Sequence, residues 1–223
     1  MGTERSGAPS SEALLLLADG RVPGGGDAHS GGLEPAVADG SVVDAETLAS
    51  FVLGRLVTTG LTEAWLAASA HAAAGDEDAL ARLDAECEAR IVSPALRAAG
   101  RALGRGLRRA AAISWPSVAS QAARQHPVML GAVCAAAGVD ALGAARLALH
   151  HALLQPLNAA PKLMAIDMAD AMAVAASLAP LVDELAVEAL ERARTDRPPV
   201  RSALLCEHRA ETHASREVRL FAS

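Results

Sequence analysis

The sequence predicts an all-α protein, on three observations. Alanine and leucine dominate, tyrosine is absent, and only Phe51, Phe221, Trp65 and Trp115 supply aromatic bulk, so nothing resembles the β-branched and aromatic clusters of strands. Apolar residues recur at three- and four-residue spacing through most of the chain, the period of a half-buried helix. Glycines, prolines and capping residues punctuate those runs at helix-length intervals. A chain of 223 residues can bury one sizeable core. The expectation is a single helical domain of roughly ten helices over 11–194, with a disordered N-terminus (1–10) and a flexible C-terminal tail (195–223) that orders on partner binding.

Each element has a local reason. Ser10, Ser11 and Glu12 ahead of four consecutive leucines, 14–17, open a capped helix ending near Asp19. After a glycine-rich loop, 33–39 allows a short helix that Gly40 closes. Asp44 caps a segment carrying Leu48, Phe51, Val52 and Leu56 at helical spacing. Helices then fit 62–74, 76–92 and 94–113, where Gly75 separates the first two and Ser93-Pro94 gives a cap with proline at the first helical position. A shorter helix fits 116–124, and 127–138, 141–154, 162–177 and 181–194 complete the set. Short connections make neighbouring helices pack as hairpins. Beyond Pro198-Pro199 the chain is polar, with little apolar periodicity, until Arg219-Leu220-Phe221. An aromatic at the end of such a tail suits a partner anchor.

The loop between the first two helices is the most distinctive stretch. Gly24-Gly25-Gly26 and Gly31-Gly32 flank one histidine, His29, and a mostly Ala/Leu helical protein rarely needs such a loop for packing alone. Gly26 and Gly31 have Walker A spacing, but Gly32-Leu33 stand where Lys-Ser/Thr belongs, so the cation for the phosphates and the hydroxyl for Mg²⁺ are missing. The dinucleotide fingerprint fails too, because these glycines follow a helix rather than a strand.

Net charge is −6, which offers no general field for nucleic acid. The run 97–109 is the exception. Its five arginines, alternating with leucine and alanine, form either a patch for an acidic partner or a solvated helix face. Cys87, Cys134 and Cys206 are widely spaced and odd in number, which fits reduced thiols in a cytoplasmic setting. No signal peptide and no apolar run of about 18 residues is visible, so no membrane segment is expected.

His150 and His151 are adjacent, and on a helix they point about 100° apart rather than at one metal. Cys206, His208 and His213 have the ligand types for Zn²⁺ or Ni²⁺ but no regular spacing. Nucleophile-elbow and Cys–His signatures are absent. From the residues alone this is a helical interaction protein without catalysis. The alternative is a helical metal- or ligand-binding protein using His29 with the tail Cys/His set.

Leu17, Ala18, Asp19, Pro23, Gly25, His29, Ser30, Gly31, Gly32 and Glu34 fall on an L-A-D-x-x-x-P-x-G-x-x-x-H-S-G-G-x-E pattern, which resembles the opening of the UreF family of urease accessory proteins. Arg101, Gly104 and Arg105 are similar to that family's S-R-x-x-G-R helix, with Gly100 at the serine position. His126-Pro127 and Gly131 resemble its H-P-x-x-x-G segment, Lys162-Leu163 its A-A-x-R/K-L helix, and Arg219 to Ser223 its R-L-F-x-S ending.

The resemblance implies an all-α, cytoplasmic homodimer without catalytic or metal-ligating residues and without a cofactor of its own. It implies that the protein bridges UreD (also called UreH) and the GTPase UreG in the complex that delivers nickel to apo-urease, with nickel and GTP handled by that complex. The partner-binding residues it implies are Pro23, Gly25, His29, Ser30, Gly31, Gly32, Glu34, Arg101, Gly104, Arg105, Lys162, Arg219, Leu220 and Phe221.

Overall fold

The structure is a computed structural model that describes residues 10–19, 29–216 and 219–221. The expected disordered N-terminus lies, apart from Ser10, outside the described residues, as do Pro23 and Gly25. The described residues form helices and no strand, in the order α1 (Ser11–Ala18), α2 (Leu33–Ala38), α3 (Ala45–Arg55), a π turn (Leu56–Gly60), α4 (Leu61–Ala72), α5 (Glu77–Ala89), α6 (Pro94–Ser114), a 3-10 turn (Pro116–Val118), α7 (His126–Ala136), α8 (Ala141–Leu163), α9 (Met168–Arg194) and α10 (Leu204–Ala214). The π turn continues α3 into α4 without a break.

Helix starts follow local chemistry. The Ser10, Asp76, Ser93 and Asp140 side chains each accept an orphan amide of the first turn, and Asp44 and Asp167 form reciprocal capping boxes with Thr47 and Asp170. The core is a stack of small residues around α4, which buries Leu61, Ala64, Trp65, Leu66, Ala67, Ala68 and Ala70 among α7, α8 and α9. With so few aromatics, the backbones close in directly. A Cβ at Gly131 of α7 would collide with the Ala67 carbonyl oxygen and stand 2.8 Å from Ala70 Cβ.

The differences from expectation fall at prolines and in the tail. The segment 116–124 is helical only as the 3-10 turn Pro116–Val118. The helix expected over 141–154 runs on to Leu163 through Pro156 and Pro161. Those expected over 162–177 and 181–194 are one helix, α9, passing through Pro180 on an exposed face. Residues 195–223, where apolar periodicity marks no helix, contain α10.

That helix was invisible to apolar periodicity because its buried face is Glu207, Ala210 and His213. Glu207 Oε2 accepts the Ser93 amide at 2.7 Å, while Glu211 accepts the Ser93 hydroxyl and, at 2.9 Å, the Ala95 amide. Two carboxylates of α10 therefore sit at the positive N-terminal end of α6.

Candidate functional site

The described end of the glycine loop is tightly built. Ser30 is fully buried and His29 nearly so. The Ser30 carbonyl accepts the Leu33 amide and its hydroxyl oxygen accepts the Glu34 amide, each at 3.2 Å, which closes the start of α2. Gly31 (φ +62°) and Gly32 (φ +84°) both adopt the left-handed region that side chains with a Cβ rarely enter.

Glu34, in the first turn of α2, holds the segment 220–221. Its Oε1 accepts the Leu220 amide at 2.8 Å and its Oε2 the Phe221 amide at 2.9 Å. His213 of α10 lies beneath, with Nε2 3.5 Å from Glu34 Oε2 and 3.3 Å from the Phe221 carbonyl. The Phe221 ring is buried in its own chain, 7% exposed, and Lys162 Nζ stands 5.6 Å from its centroid. Leu220, at 62% exposed, faces outward. The aromatic of the expected anchor is thus spent inside the molecule, and among the described residues of this segment Arg219 and Leu220 face outward.

Sequence-implied residues from three separate segments therefore meet on one rim: Ser30 to Glu34, Lys162, and Leu220 with Phe221. The arginine helix does not join them. Arg101 pairs with Glu88 and Asp84, and Arg97 and Arg108 donate to carbonyls of their own chain. Gly104 permits a close approach, since a Cβ there would collide with the Arg124 carbonyl. Arg105 and Arg109 point to solvent and form no ion pair among the described residues. Of the two readings of 97–109, a mostly solvated and internally paired face describes it better than a continuous basic patch.

Behind the rim lies a cavity of about 150 Å³, lined by His29, Arg55, Glu63, His126, His151 and Cys206 among others. Burial holds His126 down at about 3 and His151 at about 4, so both rings are neutral near pH 7. His151 Nε2 also contacts the Leu17 carbonyl at 3.1 Å, tying α1 to α8. Burial raises the Glu63 carboxyl pKa, with Arg55 opposing the shift, and pushes the Cys87 thiol up and Cys134 to about 12. Thiols held protonated in this way are poor nucleophiles.

Among the described residues no cluster of three His, Cys, Asp or Glu is arranged to hold a metal ion. His213 and Cys206 border the cavity, but His208 is exposed and not part of its lining, because two residues along a helix turns a side chain about 200° away. Sequence reasoning missed Arg55, whose guanidinium reaches the Gly31 carbonyl at 3.2 Å, and it missed the Glu207–His213 face. Neither carries a local signal, since both partners lie far along the chain.

Comparison with known proteins adds the following. The UreF family model matches residues 42–179. The chain is 40% identical to the urease accessory protein UreF of Mycobacterium sp. (strain JLS) over 213 residues, covering 94% of this chain and 97% of that protein. It is 39% identical to the protein of the same name from Mycolicibacterium vanbaalenii, covering 96% and 99%. Against the Mycobacterium tuberculosis (strain H37Rv) protein the identity is 37%, over 81% and 85%.

Proposed function

This chain belongs to the UreF family of urease accessory proteins, and from that premise we propose that it acts by binding alone, joining UreD (UreH) to the GTPase UreG in the complex that supplies nickel to apo-urease. Nickel is cargo of that complex and GTP belongs to its GTPase, so the chain itself needs no cofactor. It works in the cytoplasm as a homodimer, with neither nucleic acid nor membrane as partner. No helix among the described residues is long and apolar enough to cross a membrane. Met168 and Met172 are exposed one turn apart on α9, adaptable apolar side chains suited to a protein contact.

The observation that carries the reading is the double acceptance at Glu34. Its two carboxylate oxygens take the Leu220 and Phe221 amides, so the two ends of the family pattern form one continuous surface. A fixed loop and a docked chain end present a preorganised face, which lowers the ordering cost of binding. Catalysis would instead need an activated nucleophile or a positioned acid–base pair. The Cys87 and Cys134 thiols are buried and held protonated.

The test is co-purification of the full chain with UreD and UreG, alongside urease activation in a nickel-supplied host. Deletion of 219–223 is expected to abolish capture of UreD while leaving far-ultraviolet circular dichroism unchanged. Normal capture by the truncated chain would move the binding surface to the helical body.

A further inference from the structure

Pro156 sits inside α8. Proline has no N–H, so the Ala152 carbonyl one turn earlier loses its helical donor. Ala152 is 1% exposed, so that bare acceptor is shut away from water and costly to leave unpaired. Arg55 supplies the missing donor from 97 positions away in sequence, Nε to the Ala152 carbonyl at 3.2 Å. The same guanidinium donates through Nη1 to the Gly31 carbonyl and through Nη2 to Gln155 Oε1, each at 3.2 Å. Gly31 itself lies on the proline, where a Cβ would stand 3.1 Å from Pro156 Cδ.

The backbone around Arg55 is shaped for this reach. Arg55 is the last residue of α3 before the π turn, and such turns often mark functional positions. Gly60 closes that turn, where a Cβ would stand only 3.2 Å from the Arg55 carbonyl oxygen. On its other side the π turn offers the Val57 carbonyl to Arg201 Nη1 at 2.9 Å, so the segment leading into α10 hangs on the same turn.

We propose that Arg55 is the positioning residue of the glycine-loop site: one guanidinium joins the carbonyl that Pro156 leaves bare to the carbonyl of left-handed Gly31, setting where the loop stands. The proposal rests on the reading of that loop as a partner surface. Three donors fixed in one plane are required, and a lysine ammonium cannot reproduce them.

The experiment uses the full chain in three forms: wild type, Arg55→Lys, and Arg55→Lys combined with Pro156→Ala. The second change returns an N–H to α8, so it repairs the bare Ala152 carbonyl without restoring any bond to Gly31. Hydrogen exchange is read by mass spectrometry at Leu33 and Glu34, whose amides bond Ser30, and at α4 and α7 as reference.

The expected result is at least ten-fold faster exchange at Leu33 and Glu34 in both variants, with α4 and α7 unchanged and the thermal midpoint recovered in the double variant. Unchanged loop exchange, or its full rescue by Pro156→Ala, would overturn the proposal, because Arg55 would then serve α8 alone. UreD–UreG capture measured on the same samples separates the two claims. Fast loop exchange with reduced capture supports both. Fast loop exchange with normal capture supports the positioning by Arg55 and overturns the loop as partner surface.

Discussion

The seam between α4 and α7 and the rim where the glycine loop meets the segment 219–221 are held together in opposite ways. At the seam, Gly131 brings the α7 backbone against the Ala67 carbonyl and the Ala70 methyl group of α4, with no room for a Cβ of its own. At the rim, one carboxylate, Glu34, receives two amides and faces a buried histidine. Shape decides the seam, so it tolerates no added volume. Chemistry decides the rim, which survives a change of shape better than the loss of one acceptor. A binding protein gains from that division, because the rim can be altered without unfolding the body.

The cavity wall between the two regions gives the largest expected effect. His126 and His151 are held at about 3 and about 4, against 6.5 for an ordinary histidine. Below pH 6.5 the unfolded chain takes up protons that the folded chain refuses, so stability is full above 6.5 and falls as the pH drops toward 4. At pH 5 the pair together should cost about 4 kcal/mol. Denaturant unfolding at pH 7.5 and pH 5.0 measures this, and equal midpoints would show that the rings are not closed off.

The seam comes next. Gly131→Ala places a methyl group against the Ala67 carbonyl and Ala70 Cβ, where backbone cannot step aside. It should cost about 3 kcal/mol, at the upper end of overpacking effects. Urea unfolding followed by circular dichroism reads it. A cost under about 0.5 kcal/mol, the scale of an ordinary surface change, would mean the seam is looser than its geometry.

At the rim, Glu34→Gln keeps the size but turns one acceptor into a donor facing an amide. The docking of 219–221 should weaken by about 1–2 kcal/mol, the scale of a charge-assisted bond. Faster exchange at the Leu220 and Phe221 amides with an unchanged global midpoint is the expected pattern. A lowered global midpoint instead would erase the distinction between rim and body.

The smallest effect belongs to Arg209. Its Nε pairs with Asp39 at 2.7 Å beside α2, and hydrogen bonds to Ser41, with Arg209 contributing further, hold the Asp39 pKa below its ordinary value. The aspartate is largely solvated, so Arg209→Ala should cost less than about 1 kcal/mol. Repeating the measurement in about 1 M salt, where the Debye length is about 3 Å, should shrink the difference further.

Much of this protein is determined by its sequence alone. Helical class follows from composition and period. Ser10, Asp44 and Ser93 mark helix starts because an N-cap needs only a neighbour three residues away. Gly31 and Gly32 announce left-handed backbone because only glycine enters it freely. The glycine-loop and chain-end motifs are likewise legible as residues.

Their meeting at Glu34 is not legible, and neither are the run of α8 past Leu154 and α10. Whether Pro156 breaks a helix depends on Arg55 arriving with a donor, and α10 depends on the N-terminus of α6 standing where Glu207 and Glu211 can reach it. Apolar burial leaves a periodic trace along the chain because one helix face is wetted less than the other. Satisfaction of a buried polar group leaves no such trace: its partner can come from anywhere, and only the tertiary structure brings the two together.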